Sequence, residues 1–323
     1  MTVPAPAEDT VEPERFQILS LDGGGLRGIF SAAVLAGLEK DLGVRITDHF
    51  DLVAGTSTGG IIALGLGLGM TPREMVEFYT EHGPRVFRDR SRLRAVRHVF
   101  RAKYAAGPLR EALVETLGAR TFGASTKRLV IPSYNIGSDD VYIFRTPHLK
   151  RDWRERAVDV AMATAAAPTY LPGMTLSGAR LIDGGVWANN PAMVALTEAV
   201  GPLGVPLDRI RVFSLGTTTD VPHRSRRLDR GGLLPWARDA VEVLMRAQSI
   251  SATNQIRHLL GADRVLRLNP TVPTGAVALD KVDADDLIGR AAHDSRTASP
   301  TFTRCFADHR AAEYTPCHPA RKD

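Results

Sequence analysis

Two short apolar runs in this chain each end in a glycine-rich turn and each precede an apolar helical pattern. The first, FQILSL, is followed by DGGGLRG and GIFSAAVLAGLEKDLG, and the second, HFDLVAG, is followed by TSTGG and IIALGLGLG. Apolar runs this short are typical of buried strands, and the order strand–helix–strand–helix indicates a parallel sheet. The repeat therefore predicts an α/β fold, with helices on both faces of a mainly parallel central sheet.

Later patterns extend this architecture. Thr71 is a suitable N-cap for an amphipathic helix, TPREMVEFYTEHG, and further strands are predicted at RLVIPSYNI, VYIFRT and IRVFSLGTT. Two helical stretches are predicted between Pro235 and Leu260, then a strand in RVLRLNP and a polar helix from Asp280 to about Arg296. We expect a core over residues 15–225 and a C-terminal helical extension over residues 226–323 that packs on it.

Composition limits the expected binding partners and the expected cellular location of the protein. The 323 residues carry a net charge of +5, which favours anionic partners such as phospholipid surfaces or nucleotides. Residues 1–14 are proline-rich and acidic, lack the features of a signal peptide, and are expected to form a disordered tail. The longest apolar run, IIALGLGLGM, is too short to span a bilayer. We therefore expect a cytoplasmic protein that meets the inner membrane only at its surface.

The two cysteines, Cys305 and Cys317, lie close to the C-terminus and have no metal-ligand spacing. They are expected to be free thiols in a reducing compartment. No metal site is predicted.

The segment GTSTG, Gly55 to Gly59, matches G-x-S-x-G between a strand and a helix. A sharp strand-to-helix turn pushes the central side chain out of the sheet, and flanking glycines avoid clashes. The helix N-terminus behind Ser57 favours developing negative charge. The segment lacks the lysine of a phosphate-binding loop, which favours a nucleophile elbow. A glycine-rich turn with a capping serine is the alternative at this point.

The loop DGGGLRG fits two functions. Its glycines Gly23, Gly25 and Gly28 match G-x-G-x-x-G, the pattern of a dinucleotide site. Such a site needs an acid at the end of the second strand, but Asp51 begins that strand and Ser57 follows its end. An acyl-transfer enzyme instead needs backbone N–H groups aimed at an oxyanion, which this loop can supply. Arg27 would support the loop or add positive potential.

A serine nucleophile needs a base. None of the nine histidines lies in a glycine-rich turn at a strand end, and His49, His82 and His148 are expected to be surface or structural residues. Asp183, in LIDGGVWANNP, does occupy such a turn. Aspartate is a weak base at its ordinary pKa of about 3.9, so it would act only if desolvated and close to the serine.

Three strand-end loops in this order, DGGGLRG, GTSTG and DGG, resemble those of the patatin-like phospholipases, lipid acyl hydrolases with a Ser–Asp dyad. The resemblance covers roughly Phe16 to Thr217 and implies the patatin-like three-layer α/β/α fold. It implies Ser57 as nucleophile and Asp183 as general base, without a cofactor. It further implies an oxyanion-hole motif of Gly23, Gly24, Gly25, Arg27 and Gly28, an elbow with Gly55 and Gly59, and a second loop motif with Gly184 and Gly185.

A finer resemblance concerns FDLVAGTSTGGIIALGLGLGMTPREMVEFYTEHGPRVF, which is similar to the bacterial phospholipase effectors of cyclic-oligonucleotide anti-phage signalling. Those effectors degrade membrane phospholipid once a cyclic dinucleotide activates them, so the resemblance implies an allosteric cyclic dinucleotide activator and a role in antiviral defence. No motif places a nucleotide site. The alternatives are a constitutive bacterial lipase or esterase of the same fold and a non-catalytic, nucleotide-responsive signalling protein.

The segment from Arg85 to Lys103 is dense in arginine, with Phe and Val between the charges. It would dock on anionic lipid, contact the phosphates of an activating nucleotide, or form a solvated helix face. No nucleic-acid recognition motif accompanies it, so a nucleic-acid polymer is not an expected partner. The C-terminal helical region offers a self-association surface for a homodimer.

Overall fold

The computed structural model describes residues 15–87, 102–146, 152–220, 228–273, 279–280 and 282–316. The predicted tail over residues 1–14, Cys317 and most of the arginine-rich segment lie outside these residues. Cys305 is a free thiol, as expected.

A twisted sheet of eight of the described strands forms the centre of the molecule. In chain order the strands are β1 (Phe16–Leu21), β2 (Leu52–Gly55), β3 (Arg128–Asn135), β4 (Asp140–Arg145), β5 (Met174–Leu176), β6 (Ala179–Asp183), β7 (Ile210–Leu215), β8 (Thr219–Asp220), β9 (Val265–Leu268) and β10 (Thr271–Val272). The central sheet has the order β5-β6-β3-β2-β1-β7-β9, with β4 also paired to β3, while β8 and β10 pair separately.

Neighbouring strands at the middle of the sheet run parallel. Leu21, the last residue of β1, pairs with Gly55 at the end of β2 and with Leu215 at the end of β7. The carboxyl ends of these strands therefore meet at one edge. The pairs β2–β3 and β7–β9 are also parallel, whereas β4, β5 and β6 pair antiparallel with their neighbours. The predicted mainly parallel sheet is confirmed.

Helices cover both faces of this sheet. They are α1 (Gly28–Leu42), α2 (Thr58–Gly67), α3 (Pro72–Val86), α4 (Gly107–Leu117), α5 (Ala157–Thr164), α6 (Gly185–Ala188), α7 (Ala192–Val200), α8 (Leu233–Leu260) and α9 (Ala284–Phe306). Alternate residues of β1 belong to different cores: Leu19 and Leu21 pack with α1, α2, α3 and α9, whereas Phe16 and Ile18 pack with α7 and α8. Burial on both sides explains why apolar residues occupy both faces of the strand, where Gln17 and Ser20 are the buried polar exceptions.

Two helix boundaries follow the sequence signals. Gly43 ends α1 in the left-handed region, at φ 64°, where glycine avoids a Cβ clash. Thr71 begins α3 with a capping box: its hydroxyl accepts from the Glu74 N–H, and the Glu74 carboxylate accepts from the Thr71 N–H. The predicted cap at Thr71 is confirmed.

Two helices of the C-terminal part differ from the prediction. Residues 233–260 form the single helix α8, because no glycine or proline interrupts the stretch after Pro235. Helix α9 begins at Ala284 and continues beyond Arg296, through Pro300, to Phe306. An interior proline costs about 3 kcal/mol. Burial of Phe302 and Phe306 against Phe213 and Phe50 offsets this cost.

None of the helices in the described ranges combines the length and the apolar character that crossing a membrane would require.

Candidate active site

Ser57 lies at the sharp turn between β2 and α2. Its backbone has φ 54° and ψ −120°, which is an uncommon conformation for a residue with a side chain. Strain of this kind costs about 1–3 kcal/mol and persists only where the surroundings impose it. The Ser57 N–H donates to Thr164 Oγ1 at 3.0 Å, and the Thr164 hydroxyl donates to the Pro132 carbonyl at 2.6 Å. Helix α5 and strand β3 therefore hold the turn in place.

Close backbone approach accounts for the glycines on either side. A Cβ on Gly55 would overlap the carbonyl oxygen of Gly59, and a Cβ on Gly59 would overlap that of Leu21 in β1. The Ser57 side chain makes no capping hydrogen bond to α2. This rules out the alternative of a capping serine.

Asp183, the last residue of β6, lines the same cavity as Ser57. Its carboxylate is buried and accepts a hydrogen bond at 2.7 Å from the Gly185 N–H. Burial raises the pKa of Asp183 to about 6, although the Ser57 hydroxyl and the Gly185 N–H both lower it. The structure therefore brings together a hydroxyl and a carboxylate 126 positions apart in the chain. It also buries the Asp183 carboxylate, which is the condition under which an aspartate can act as a base near neutral pH.

The loop DGGGLRG lies beside Ser57. The N–H of Gly23 donates to the Asn189 carbonyl at 3.0 Å, so it is already occupied. Across the described ranges, no acceptor contacts the N–H groups of Gly24 and Gly25, and both residues line the cavity that contains Ser57. The amides available to an oxyanion are thus those of Gly24 and Gly25, not that of Gly23.

The rest of the motif has supporting contacts. Arg27 donates from Nε to the Gly24 carbonyl at 3.2 Å and from Nη1 to the Thr218 carbonyl at 3.4 Å, so it braces the loop. Gly28 begins α1 next to Thr58, where a Cβ would overlap the threonine side chain. Gly184 lies against Pro132 with no room for a Cβ.

A buried ion pair fixes the start of this loop. Arg267 of β9 contacts both carboxylate oxygens of Asp22 and donates to Ser214 Oγ at 2.7 Å. Burial raises the pKa of Asp22, and the charge of Arg267 opposes that rise. Bidentate pairing of this kind restricts orientation as well as distance. Nothing in the local sequence signalled Arg267, because it lies 245 positions after Asp22.

An apolar cavity opens over the serine. Its walls carry Ile61, Tyr79, Phe87, Leu109, Leu171, Val186, Met245 and Leu279, together with Gly24, Gly25, Ser57 and Asp183. Apolar walls around one polar pair are suited to a hydrocarbon chain with an ester at its end.

Two asparagines that the sequence analysis left without a role join the site to α8. The Asn189 side-chain amide donates to Ser249 Oγ at 3.0 Å, and the backbone carbonyl of Asn189 accepts from the Gly23 N–H. The N–H of Asn190 donates to Gln248 Oε1 at 2.9 Å. Two adjacent asparagines directly before a proline, in WANNP, were the sequence signal that could have identified them.

The other residues considered in the sequence have structural roles. His49 is buried and its Nδ1 contacts the His309 carbonyl at 2.8 Å, while His82 lies between Arg85, Glu115 and Phe78. His148 lies outside the described residues. Asp51 accepts from the Gln17 N–H and contacts His309 Nε2, so it holds the C-terminal segment rather than a ribose. The described ranges contain no group of three or more His, Cys, Asp or Glu arranged for a metal ion.

Comparison with known proteins gives consistent matches. A family model described as patatin-like phospholipase matches residues 19–196. A cGAMP-activated phospholipase of Pseudomonas aeruginosa is 36% identical over 253 residues, covering 76% of this chain and 76% of that protein. A cGAMP-activated phospholipase of Vibrio cholerae serotype O1 is 30% identical over 340 residues, covering 94% and 96%. The crystal structure of VipD from Legionella pneumophila aligns with a TM-score of 0.49 at 12% identity, covering 91% of this chain and 68% of that one.

Proposed function

The chain belongs to the patatin-like phospholipase family, and we propose that Ser57 and Asp183 form the dyad with which it hydrolyses fatty-acyl esters of membrane phospholipids. The observation that carries the proposal is that the Ser57 hydroxyl and the buried Asp183 carboxylate line one apolar cavity, beside two backbone amides without an acceptor among the described residues. Nucleophile, base and oxyanion donors thus lie around one point, as acyl transfer requires.

In the first half-reaction, Ser57 Oγ attacks the ester carbonyl carbon while Asp183 accepts the hydroxyl proton. The carbonyl oxygen becomes an oxyanion, which the N–H groups of Gly24 and Gly25 stabilise. Collapse of this intermediate breaks the bond to the glycerol oxygen. Asp183 returns its proton to that oxygen, the lysolipid leaves as an alcohol, and Ser57 carries the acyl group.

In the second half-reaction, a water molecule takes the place of the lysolipid. Asp183 accepts a proton from this water as its oxygen attacks the acyl carbon. The same amides hold the second oxyanion. Collapse returns the proton to Ser57 Oγ and releases the fatty acid, so both groups are ready for another cycle.

The pKa of Asp183 predicts an acid limit on activity. Only the ionised carboxylate can accept a proton, so kcat/KM should fall about tenfold per pH unit below a midpoint near pH 6. Hydrolysis of soluble p-nitrophenyl butyrate between pH 4.5 and 8.5 measures this limit without a membrane surface. A rate that stays constant down to pH 4.5 would contradict the assignment of Asp183 as the base.

We also propose that a cyclic dinucleotide activates the enzyme and that activation serves antiviral defence. Support comes from the two relatives named cGAMP-activated phospholipases, one of which matches almost the whole chain. Binding of the activator would be allosteric, because the dyad and its amides need no further group for acyl transfer.

The active protein is proposed to be peripheral to the inner membrane. Helix α8 exposes Trp236 and Leu244 to solvent, and 65% of the Leu244 surface is accessible. The same helix places Met245 in the wall of the apolar cavity. Docking through α8, aided by the net charge of +5, would bring anionic lipid to the site. Self-association as a homodimer through the C-terminal helices stays a prediction that light scattering would check.

Fatty-acid release from vesicles tests these proposals together. Purified protein is incubated with phosphatidylethanolamine and phosphatidylglycerol vesicles, with and without 3′,3′-cGAMP. We expect free fatty acid only when the nucleotide is present. Equal release without it would indicate a constitutive lipase and reject the activator, whereas no release under either condition would favour a non-catalytic signalling protein.

A further inference from the structure

A second cavity, of about 950 Å³, adjoins the apolar one. The two share Tyr170, Met245 and Leu279 in their walls but differ in character. The larger one carries hydroxyl and amide side chains and four cationic groups, Arg27, Lys103, Arg246 and Arg267. The acyl-transfer steps described above use none of these side chains directly.

Cationic groups outnumber anionic ones around this cavity. Asp22 and Glu242 are the acidic side chains among the described residues of its wall, and Asp22 pairs with Arg267. Asp280 pairs with Lys103 from just outside. Counting all three acids, the walls still carry an excess positive charge, and guanidinium groups bind phosphate oxygens in paired geometry.

The glycine loop forms the boundary between the two cavities. Gly23 and Arg27 line the polar side, whereas Gly24, Gly25 and Ser57 line the apolar side. An ester carbonyl at the Gly24 and Gly25 amides therefore has its acyl chain on the apolar side. Its alcohol portion must leave in the other direction, over Gly23. In a glycerophospholipid that portion carries the phosphodiester on an adjacent carbon of the glycerol.

Thr218, in the wall of the larger cavity, is a second and independent indication that this cavity binds a ligand. It is a β-branched residue at φ 76°, a conformation that is rarely seen without a compensating role. Its Oγ1 is buried and contacts no hydrogen-bond partner within the described ranges, while its carbonyl accepts from Arg27. A hydroxyl held in a strained position without a partner is suited to donate to an incoming anion.

We propose that this polar cavity binds a phosphodiester, namely the head-group phosphate of the lipid whose ester lies at Ser57. The inference rests on the proposed function, because it takes the position of the ester from the dyad. A cyclic dinucleotide carries the same phosphodiester chemistry and is the other source that an experiment must distinguish. Arg246 of α8 is the most direct probe, since it lines the cavity and lies outside the glycine loop.

The test compares two soluble substrates that differ only in the head group, dihexanoylphosphatidylcholine below its micellar concentration and dihexanoylglycerol, both assayed with 3′,3′-cGAMP present. Arg246→Glu should lower kcat/KM for the phospholipid about tenfold more than for the neutral lipid, because one charge-assisted hydrogen bond is replaced by repulsion. Arg257→Glu makes the same charge change at an exposed position of α8 and should leave the ratio of the two rates unchanged. Arg246→Gln repeats the test without a charge reversal, and thermal unfolding confirms that each variant is folded.

Calorimetric titration of 3′,3′-cGAMP into the same variants tests whether the phosphodiester in this cavity belongs to the nucleotide instead of the lipid. A loss of nucleotide affinity in Arg246→Glu, with the substrate ratio unchanged, would assign the phosphodiester site to the nucleotide. An unchanged ratio together with unchanged nucleotide affinity would overturn the proposal. If the proposed Ser57–Asp183 function is itself wrong, the native protein will hydrolyse neither lipid, and this outcome is distinct from the others.

Discussion

Ser57→Ala is expected to abolish fatty-acid release, with kcat/KM at least about 10⁴-fold below that of the native enzyme. The substitution removes the oxygen proposed to attack the ester and the hydroxyl proton proposed to pass to Asp183. The backbone amides of Gly24 and Gly25 remain, so the variant should still bind substrate. Release from vesicles and from p-nitrophenyl butyrate should be lost together, because the same oxygen attacks both esters.

The thermal stability of this variant separates lost chemistry from lost structure. Alanine meets the same strain as serine at φ 54°, so the melting temperature should change little. Ser57→Gly relieves that strain and should be about 1 kcal/mol more stable while being equally inactive. Ser295→Ala removes a buried hydroxyl in α9, outside both cavities, and serves as the matched control that keeps its activity. Substantial hydrolysis by purified Ser57→Ala would reject Ser57 as the nucleophile.

Asp183→Asn should reduce kcat/KM by about 10³-fold. The amide is nearly the same size as the carboxylate, and its oxygen can keep the hydrogen bond from the Gly185 N–H. It cannot accept a proton from Ser57 or from water. Adding 3′,3′-cGAMP should not restore the rate, because the defect lies in proton transfer rather than in activation. A variant with near-native kcat/KM would reject Asp183 as the base.

The same substitution should stabilise the fold at neutral and alkaline pH. A folded pKa of about 6, above the ordinary value of 3.8, means that ionising Asp183 costs stability. This cost is absent below about pH 4, grows as the pH rises towards 6, and reaches about 3 kcal/mol at pH 8. The Asp183→Asn variant avoids the cost, so its gain in melting temperature should be larger at pH 8 than at pH 5. An equal change at both pH values would indicate that folding does not raise the pKa of Asp183 above its value in the unfolded chain.

Much of the candidate site could be predicted because each part is a local pattern at the end of a strand. In GTSTG, the glycines that flank Ser57 follow from close backbone contacts between β1, β2 and α2. The parallel pairing of β1 with β2 then places DGGGLRG beside the serine. Asp183 was identified from the same kind of turn, although β6 joins the sheet antiparallel to β3.

Other features depend on contacts between distant segments and could not be predicted. Pairing of Asp22 with Arg267 requires β9 to lie next to β7, and no local pattern specifies that neighbour. The occupied N–H of Gly23 follows from the path of the chain after α6, which brings the Asn189 carbonyl to the loop. The single helix α8 was missed as a wall of the site, because its amphipathic pattern does not show which element it covers.

Local patterns in the chain were enough to specify the α/β architecture, the strand-end turns and the two side chains proposed to react. Such features follow from backbone sterics and from apolar periodicity, which act over a few residues. The desolvation of Asp183, the available amides of Gly24 and Gly25, and the cationic cavity across the loop from the apolar one emerged only from the folded molecule. Burial and electrostatic environment are properties of the packed chain, because they depend on groups that folding brings together from remote positions.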